Sequence, residues 1–163
     1  MKLSTKGRYG LRAMIDLAAL SEKEAVSLNS VADRQHISEG YLEQLMAKLK
    51  KADLVVSTRG ATGGYRLARE PEEISVGDVL RALEGSLKAV ECPGDSEEKT
   101  DECQESEFCV ARYVWQRMNE SITRTVNEIK LSDLVNEKKR IQEKISNNDR
   151  RETNEPCARS EKL

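Results

Sequence analysis

Between Thr5 and Ser21 the apolar side chains Tyr9, Leu11, Met14, Ile15, Leu17, Ala18 and Ala19 recur at helical spacing. This pattern predicts an amphipathic helix with one buried face. A second, shorter helix carries Leu28, Val31 and Ala32, with Ser27 or Asn29 as its N-cap. The pattern breaks at QHI. Ser38 then has the chemistry of an N-cap for a third helix through YLEQLMAKLKKA, which gathers Tyr41, Leu42, Leu45, Met46 and Leu49 on one side. Two short helices joined by a tight turn suggest a helix-turn-helix. Directly afterwards LVVS and YRLA read as strands around the glycine-rich, basic tip TRGATGG, a hairpin of the kind called a wing.

Past the hairpin, ISVGDVLRALEG supplies another helix. Ala111, Trp115, Met118, Ile122 and Ile129 then fall near a 4,3,4,7 spacing, the seam of a long helix packed against a second subunit. LSDLV restarts a helix with Ser132 as its expected cap, and EKKRIQEKI extends it as a charged, exposed segment. The fold class is therefore mainly α with a small β-hairpin. Residues 1–88 form a winged helix-turn-helix unit, 89–110 a cysteine-bearing loop, 111–145 a dimerisation helix and the helix after it, and 146–163 a disordered polar tail.

With 163 residues the chain can bury a core without disulfides. Its N-terminus, MKLSTKGRYG, does not resemble a signal peptide, and no apolar run approaches the roughly 20 residues that span a bilayer. The expected location is the cytoplasm, away from membranes, where clustered cysteines bind metal or sense redox state more often than they staple a fold. The near-neutral total conceals an asymmetry. Residues 1–69 hold 12 Lys and Arg against 7 Asp and Glu, a formal +5, and the remaining 15 against 22 give −7. A basic N-terminal unit and an acidic C-terminal one are implied, and a solvated surface explains the basic charge about as often as a nucleic-acid partner does.

The third helix, placed as a recognition helix, offers Ser38, Glu39, Gly40, Tyr41, Glu43 and Gln44 to base edges, with Lys48, Lys50 and Lys51 toward phosphates. Gln44 suits adenine and Glu43 suits cytosine. Arg59 at the wing tip has the length and charge to enter a narrow minor groove. The expected partner is a double-stranded DNA operator. An enzyme reading gains nothing: there is no phosphate-binding glycine loop and no Ser/His/Asp set, and the sole histidine, His36, sits in the helix-turn-helix turn.

MKLSTKGRYGLRAM, ISEGYLEQLMAKLKKADLV, RGATGGYRLA and ISVGDVLRALEG together resemble the winged-helix repressors typified by the iron–sulfur cluster regulator IscR and the cysteine-metabolism regulator CymR. The resemblance covers about residues 1–135. It implies a homodimeric regulator whose recognition helix carries Tyr41, Glu43 and Gln44 and whose wing carries Arg59. Gly40 stands where IscR-like sequences often carry serine.

The segment Val90–Trp115 holds Cys92, Cys103 and Cys109 in the spacing C-x10-C-x5-C among many carboxylates. IscR-like members use three cysteines here as ligands of a [2Fe–2S] cluster, for which thiolates are the usual protein ligands. CymR-like members lack them. The second gap matches the IscR-like pattern and the first is longer, an insertion that loop entropy tolerates. The fourth ligand is unknown. IscR-like proteins use histidine where this chain has Arg112, which cannot ligate, and related nitric-oxide sensors use aspartate where it has Arg8. Asp101, Glu102, Glu105, Glu107, Cys157 or an exogenous thiol are left.

Structural zinc and a metal-free disulfide switch are the competing readings of the thiols; the first lacks a C-x2-C knuckle and the second meets an acidic surround that disfavours thiolate. The resemblance implies control of iron–sulfur biogenesis genes, with the assembly machinery as a further partner. Its alternative is a cluster-free regulator of cysteine metabolism controlled by thiol redox state or by docking a cysteine-biosynthesis enzyme.

Overall fold

The computed structural model describes residues 3–20, 24–60, 63–90 and 109–152, with side chains as far as residue 146. Helix α1 (Thr5–Leu20) buries Met14, Leu17 and Ala18 as its apolar period predicts, and also Ala13, Gly7 and Gly10. A Cβ on Gly7 would stand 2.6 Å from Glu84 Oε1, and one on Gly10 would overlap Leu83 Cδ1. Two glycines that weaken the helix by propensity thus let a later helix lie against it.

Ser27, rather than Asn29, caps helix α2 (Leu28–Gln35), its hydroxyl accepting the Ser30 N–H at 3.2 Å. His36 ends α2 in a left-handed conformation, φ 54° and ψ 49°, and turns the chain into helix α3 (Glu39–Lys51). Val31, Leu42, Leu45, Met46 and Leu49 meet Met14 and Leu17 in one core. Each of the larger side chains contributes roughly 1.5–3 kcal/mol by its burial.

Strands β1 (Val55–Thr58) and β2 (Gly64–Leu67) pair antiparallel, with Val55 opposite Leu67 and Thr58 opposite Gly64. Strand β2 is held a second time on its other edge, close to the tip, since Val26 and Tyr65 exchange both backbone hydrogen bonds at 2.8 Å. Glycine is required at position 64 for this approach: a Cβ would lie 2.9 Å from Ser27 N and nearer still to the Val26 carbonyl.

Helix α4 (Val76–Glu84) starts in a capping box in which Ser75 Oγ accepts the Asp78 N–H and Asp78 Oδ2 accepts the Ser75 N–H, both at 3.0 Å. Partial burial works to raise the Asp78 carboxyl, but hydrogen bonds from Ser75 and Arg81 and the Arg81 charge outweigh it and hold it below its ordinary value. At the other end of α4 the Glu84 carboxylate accepts Ser4 N–H at 3.0 Å, Ser4 O–H at 2.7 Å and Gly7 N–H at 2.9 Å, capping α1 from a distant part of the chain. Here too burial acts upward, while the Ser4 and Gly7 donors and the charge of Lys6 bring the net shift down.

Helix α5 (Val110–Glu128) leaves none of its side chains fully buried. Val126 and the following Ile129 pack onto Val76, Leu80 and Leu87. Ile129 therefore belongs to the chain's own interior and not to an intersubunit seam, because Val76 N–H donates to Ile129 O at 2.9 Å and Leu131 N–H to Ile74 O at 3.0 Å. This backbone pairing also corrects the expected cap. Helix α6 (Leu131–Glu152) begins before Ser132, whose N–H donates to Pro71 O at 3.3 Å, and it is the Asp133 carboxylate that accepts the Lys130 N–H at 2.9 Å. The helix also continues past residue 145, as far as Glu152. Its first turns return to α1, where Leu131 and Val135 join the main core. Lys138 reaches Asp16 at 3.4 Å, and Asp16, 2% exposed, also holds Arg34 of α2 at 2.7 Å.

Candidate nucleic-acid interface and cysteine segment

The first turn of α3 is polar and open. Ser38 occupies the N-cap with extended φ and ψ, but its hydroxyl makes no capping bond. Glu39, Gly40, Glu43 and Gln44 are exposed, while Leu42, Leu45, Met46 and Leu49 on the opposite side anchor the helix in the core. A Cβ on Gly40 would meet nothing within 4 Å, so a side chain fits there.

Tyr41 is placed differently from its neighbours. It is half-buried, its hydroxyl donates to Thr5 Oγ1 at 3.3 Å, and its ring meets Tyr9 edge to face at 6.2 Å and 89°. Arg12 lies over the Tyr9 ring at 5.6 Å and donates to Gln35 O at 3.1 Å and Gln35 Oε1 at 3.2 Å. Thr5, Tyr9 and Arg12 thus tie α1 to the helix-turn-helix turn and to the start of α3. Of the three, the sequence pattern marked only Tyr9, as part of an amphipathic helix.

The chain passes from α3 into the hairpin within a few residues, and Lys50 Nζ donates to Ser57 Oγ of β1 at 2.6 Å. Lys48 Nζ lies 3.5 Å from the Leu83 carbonyl. Both lysines keep exposed side chains while bracing α3 against its neighbours, and Lys51 is exposed as well. Arg59 is exposed at the hairpin tip beside Gly60, which adopts φ 115°. The open first turn of α3, the wing-tip arginine and the exposed lysines are what a duplex-reading surface needs: polar groups for base edges and cations for phosphates.

Of the three clustered thiols, Cys109 is the one within the described residues. It is a free, half-buried cysteine at the N-cap of α5, and its side chain makes no capping bond. This is the positive end of a 19-residue helix, a position that favours an anionic group. Cys92, Cys103, Cys157 and the carboxylates Asp101, Glu102, Glu105 and Glu107 lie outside the described residues. Among the described residues no three His, Cys, Asp or Glu side chains converge as a metal site.

The outward face of α5 exposes Tyr113 (63%), Met118 (42%) and Val114, which with Arg117, Ser121 and Ile122 line a shallow apolar groove. The expected seam residues Trp115 and Ile122 are half-buried and Ala111 is exposed, so the open apolar surface is rotated toward Tyr113 and Val114. Among the described residues no helix is long and apolar enough to cross a membrane.

The Rrf2 family model, described as an iron-dependent transcriptional regulator, matches residues 3–137. The chain is 42% identical over 135 residues to the HTH-type transcriptional regulator IscR of Vibrio atlanticus, covering 83% of this chain and 75% of the relative. Among solved structures, IscR of T. potens is similar at 46% identity and a TM-score of 0.69, over 87% of this chain and 91% of that one. CymR, the global cysteine regulator of B. subtilis, is similar at 39% identity and a TM-score of 0.69, over 83% and 97%.

Proposed function

The chain belongs to the Rrf2 family of transcriptional regulators, and on that premise we propose that it works as a cytoplasmic homodimer whose operator binding responds to a [2Fe–2S] cluster carried by Cys92, Cys103 and Cys109. The carrying observation is the open first turn of α3, with Gly40, Glu43 and Gln44 exposed, leading directly into a wing tipped by Arg59. In this reading Ser38, Gly40, Tyr41, Glu43 and Gln44 face base edges, Lys48 and Lys50 face phosphates, and Arg59 enters the minor groove. The exposed apolar face of α5 pairs with its copy in a second chain, and two-fold symmetry then presents two recognition helices to two half-sites.

Cys109 fits the cluster: a free thiol, not spent on capping, at the positive end of α5. Cys92, Cys103 and Cys109 would hold the group as thiolates, and when bound it would supply redox- and iron-sensitive ligation to the segment between α4 and α5. The genes expected under its control are those of iron–sulfur cluster assembly, which is what the resemblance to IscR-like regulators implies.

Anaerobically purified protein is expected to be coloured and to contain two irons per chain, and to lose both properties in Cys92→Ala, Cys103→Ala and Cys109→Ala but not in Cys157→Ala. Colourless, iron-free protein would favour a second reading, supported by the likeness to CymR: a cluster-free regulator of cysteine metabolism, controlled by thiol oxidation or by an enzyme partner.

A further inference from the structure

We propose that Asn119 is a positioning residue for DNA recognition: its carboxamide clamps α5 to the segment leaving the winged-helix unit and thereby sets the separation of the two recognition helices. The inference rests on the reading of α5 as the pairing helix.

Asn119 is half-buried on α5. Its Oδ1 accepts the Ala89 N–H at 2.8 Å and its Nδ2 donates to the Val90 carbonyl at 2.9 Å. A carboxamide holds acceptor and donor on separate atoms of one rigid plane and so serves both backbone groups at once, which an apolar side chain does not.

Lower on the same helix α5 is attached again, by Val126 against the cluster of Val76, Leu80 and Leu87 and by Arg81 Nη2 donating to Asn127 Oδ1 at 2.8 Å. Asn119 and Val126 are seven residues apart, roughly 10 Å along the helix axis. A helix held at one end pivots, whereas one held at two points this far apart has a defined direction. The exposed apolar face runs from Ile122 past the upper attachment to Met118, Val114 and Tyr113, so the clamp ties the pairing surface to the DNA-reading unit. With half-sites one turn apart, about 34 Å, a tilt of about 6° displaces the far recognition helix by about one base-pair step of 3.4 Å.

The test uses full-length protein and duplexes recovered by it from a random pool, re-synthesised with the half-sites moved apart by one base pair or reduced to a single half-site. Wild type is expected to discriminate sharply against the shifted spacing. Asn119→Ala should keep the single half-site affinity and lose about fivefold or more of that discrimination. Asn119→Asp, which still accepts from Ala89 but sets a carboxylate oxygen against the Val90 carbonyl in place of a donor, should lose at least as much discrimination as Asn119→Ala and decides the matter if the alanine variant does not fold. A loss of stability alone would lower the active fraction on every duplex and leave the spacing ratio unchanged. Folded, dimeric variants with the wild-type spacing ratio would overturn the inference while leaving the dimer reading standing. Wild type that sediments as a monomer, or shows no spacing preference, would remove that reading and this inference with it.

Discussion

Gly64→Ala should separate the wing from the unit that carries it, and the size of the effect follows from what the new methyl meets. The added Cβ would lie 2.9 Å from Ser27 N and closer to the Val26 carbonyl, both backbone atoms that cannot rotate away. The Val26–Tyr65 pair must therefore open, losing two hydrogen bonds of 2.8 Å. At about 0.5–1.5 kcal/mol each they contribute about 1–3 kcal/mol. Displaced packing adds about 1–3 kcal/mol, and the entropy recovered by removing a glycine returns about 0.5–1 kcal/mol. The net expectation is a loss of about 1–5.5 kcal/mol in denaturant unfolding. Gly40→Ala is the control, since its Cβ meets nothing within 4 Å inside a helix, and it should gain up to about 1 kcal/mol. At a temperature where all forms are folded, Gly64→Ala should also bind operator more weakly, with non-specific DNA less affected. A Gly64→Ala protein within about 0.5 kcal/mol of wild type, the range of ordinary surface changes, would refute the idea that the rung at Val26 holds the wing.

Arg59→Ala is expected to weaken specific binding by about 1–3 kcal/mol in a salt-controlled titration, the worth of one good readout contact; unchanged affinity would remove the wing tip from recognition. Met118→Asp places a charge on the open face of α5 and should split the dimer in sedimentation, because an unpaired charge in an apolar contact is costly; a folded dimer would mean that this face is not the pairing surface. Glu84 titrates below its ordinary 4.5 in the folded protein, so its stabilisation is complete above that pH and disappears as pH falls through the lowered folded value. The stability gap between wild type and Glu84→Gln should accordingly be constant near neutrality and close in acid; a gap that persists unchanged in acid would show that the carboxylate charge is not what caps α1.

The readable parts of the molecule were those set by neighbours in sequence. The period of apolar residues identified α1, α2 and α3, and the serines ahead of α2 and α3 marked their starts. The run RGATGG marked a hairpin because few residues other than glycine suit such a tip. What escaped depends on distant partners. Ser132 has the right chemistry for a cap, yet the strand-like pairing of residues 74–76 with 129–131 starts α6 before it and draws Ile129 inward. Gly7 and Gly10 are poor helix formers by propensity, and their role shows only where Leu83 and Glu84 lie against them. Tyr41 was legible as part of the recognition helix, but its tie to Thr5 and Tyr9 required α1 and α3 to be packed together. The cluster was suggested by the resemblance to IscR-like members, whereas the placement of Cys109 at the head of α5 follows from where that helix begins.

The central claim is that cluster occupancy changes what this regulator binds. The direct measurement is a titration of duplexes recovered from a random pool against the anaerobically purified and the iron-stripped protein, at equal salt and with dimer content matched. Ligation would join a segment whose ends lie at Val90, clamped to α5, and at Cys109, the first residue of that helix's cap, so the two forms should differ in operator affinity or in the operators they accept. Superimposable binding profiles across the panel would contradict the claim and leave the cysteines without a part in DNA recognition.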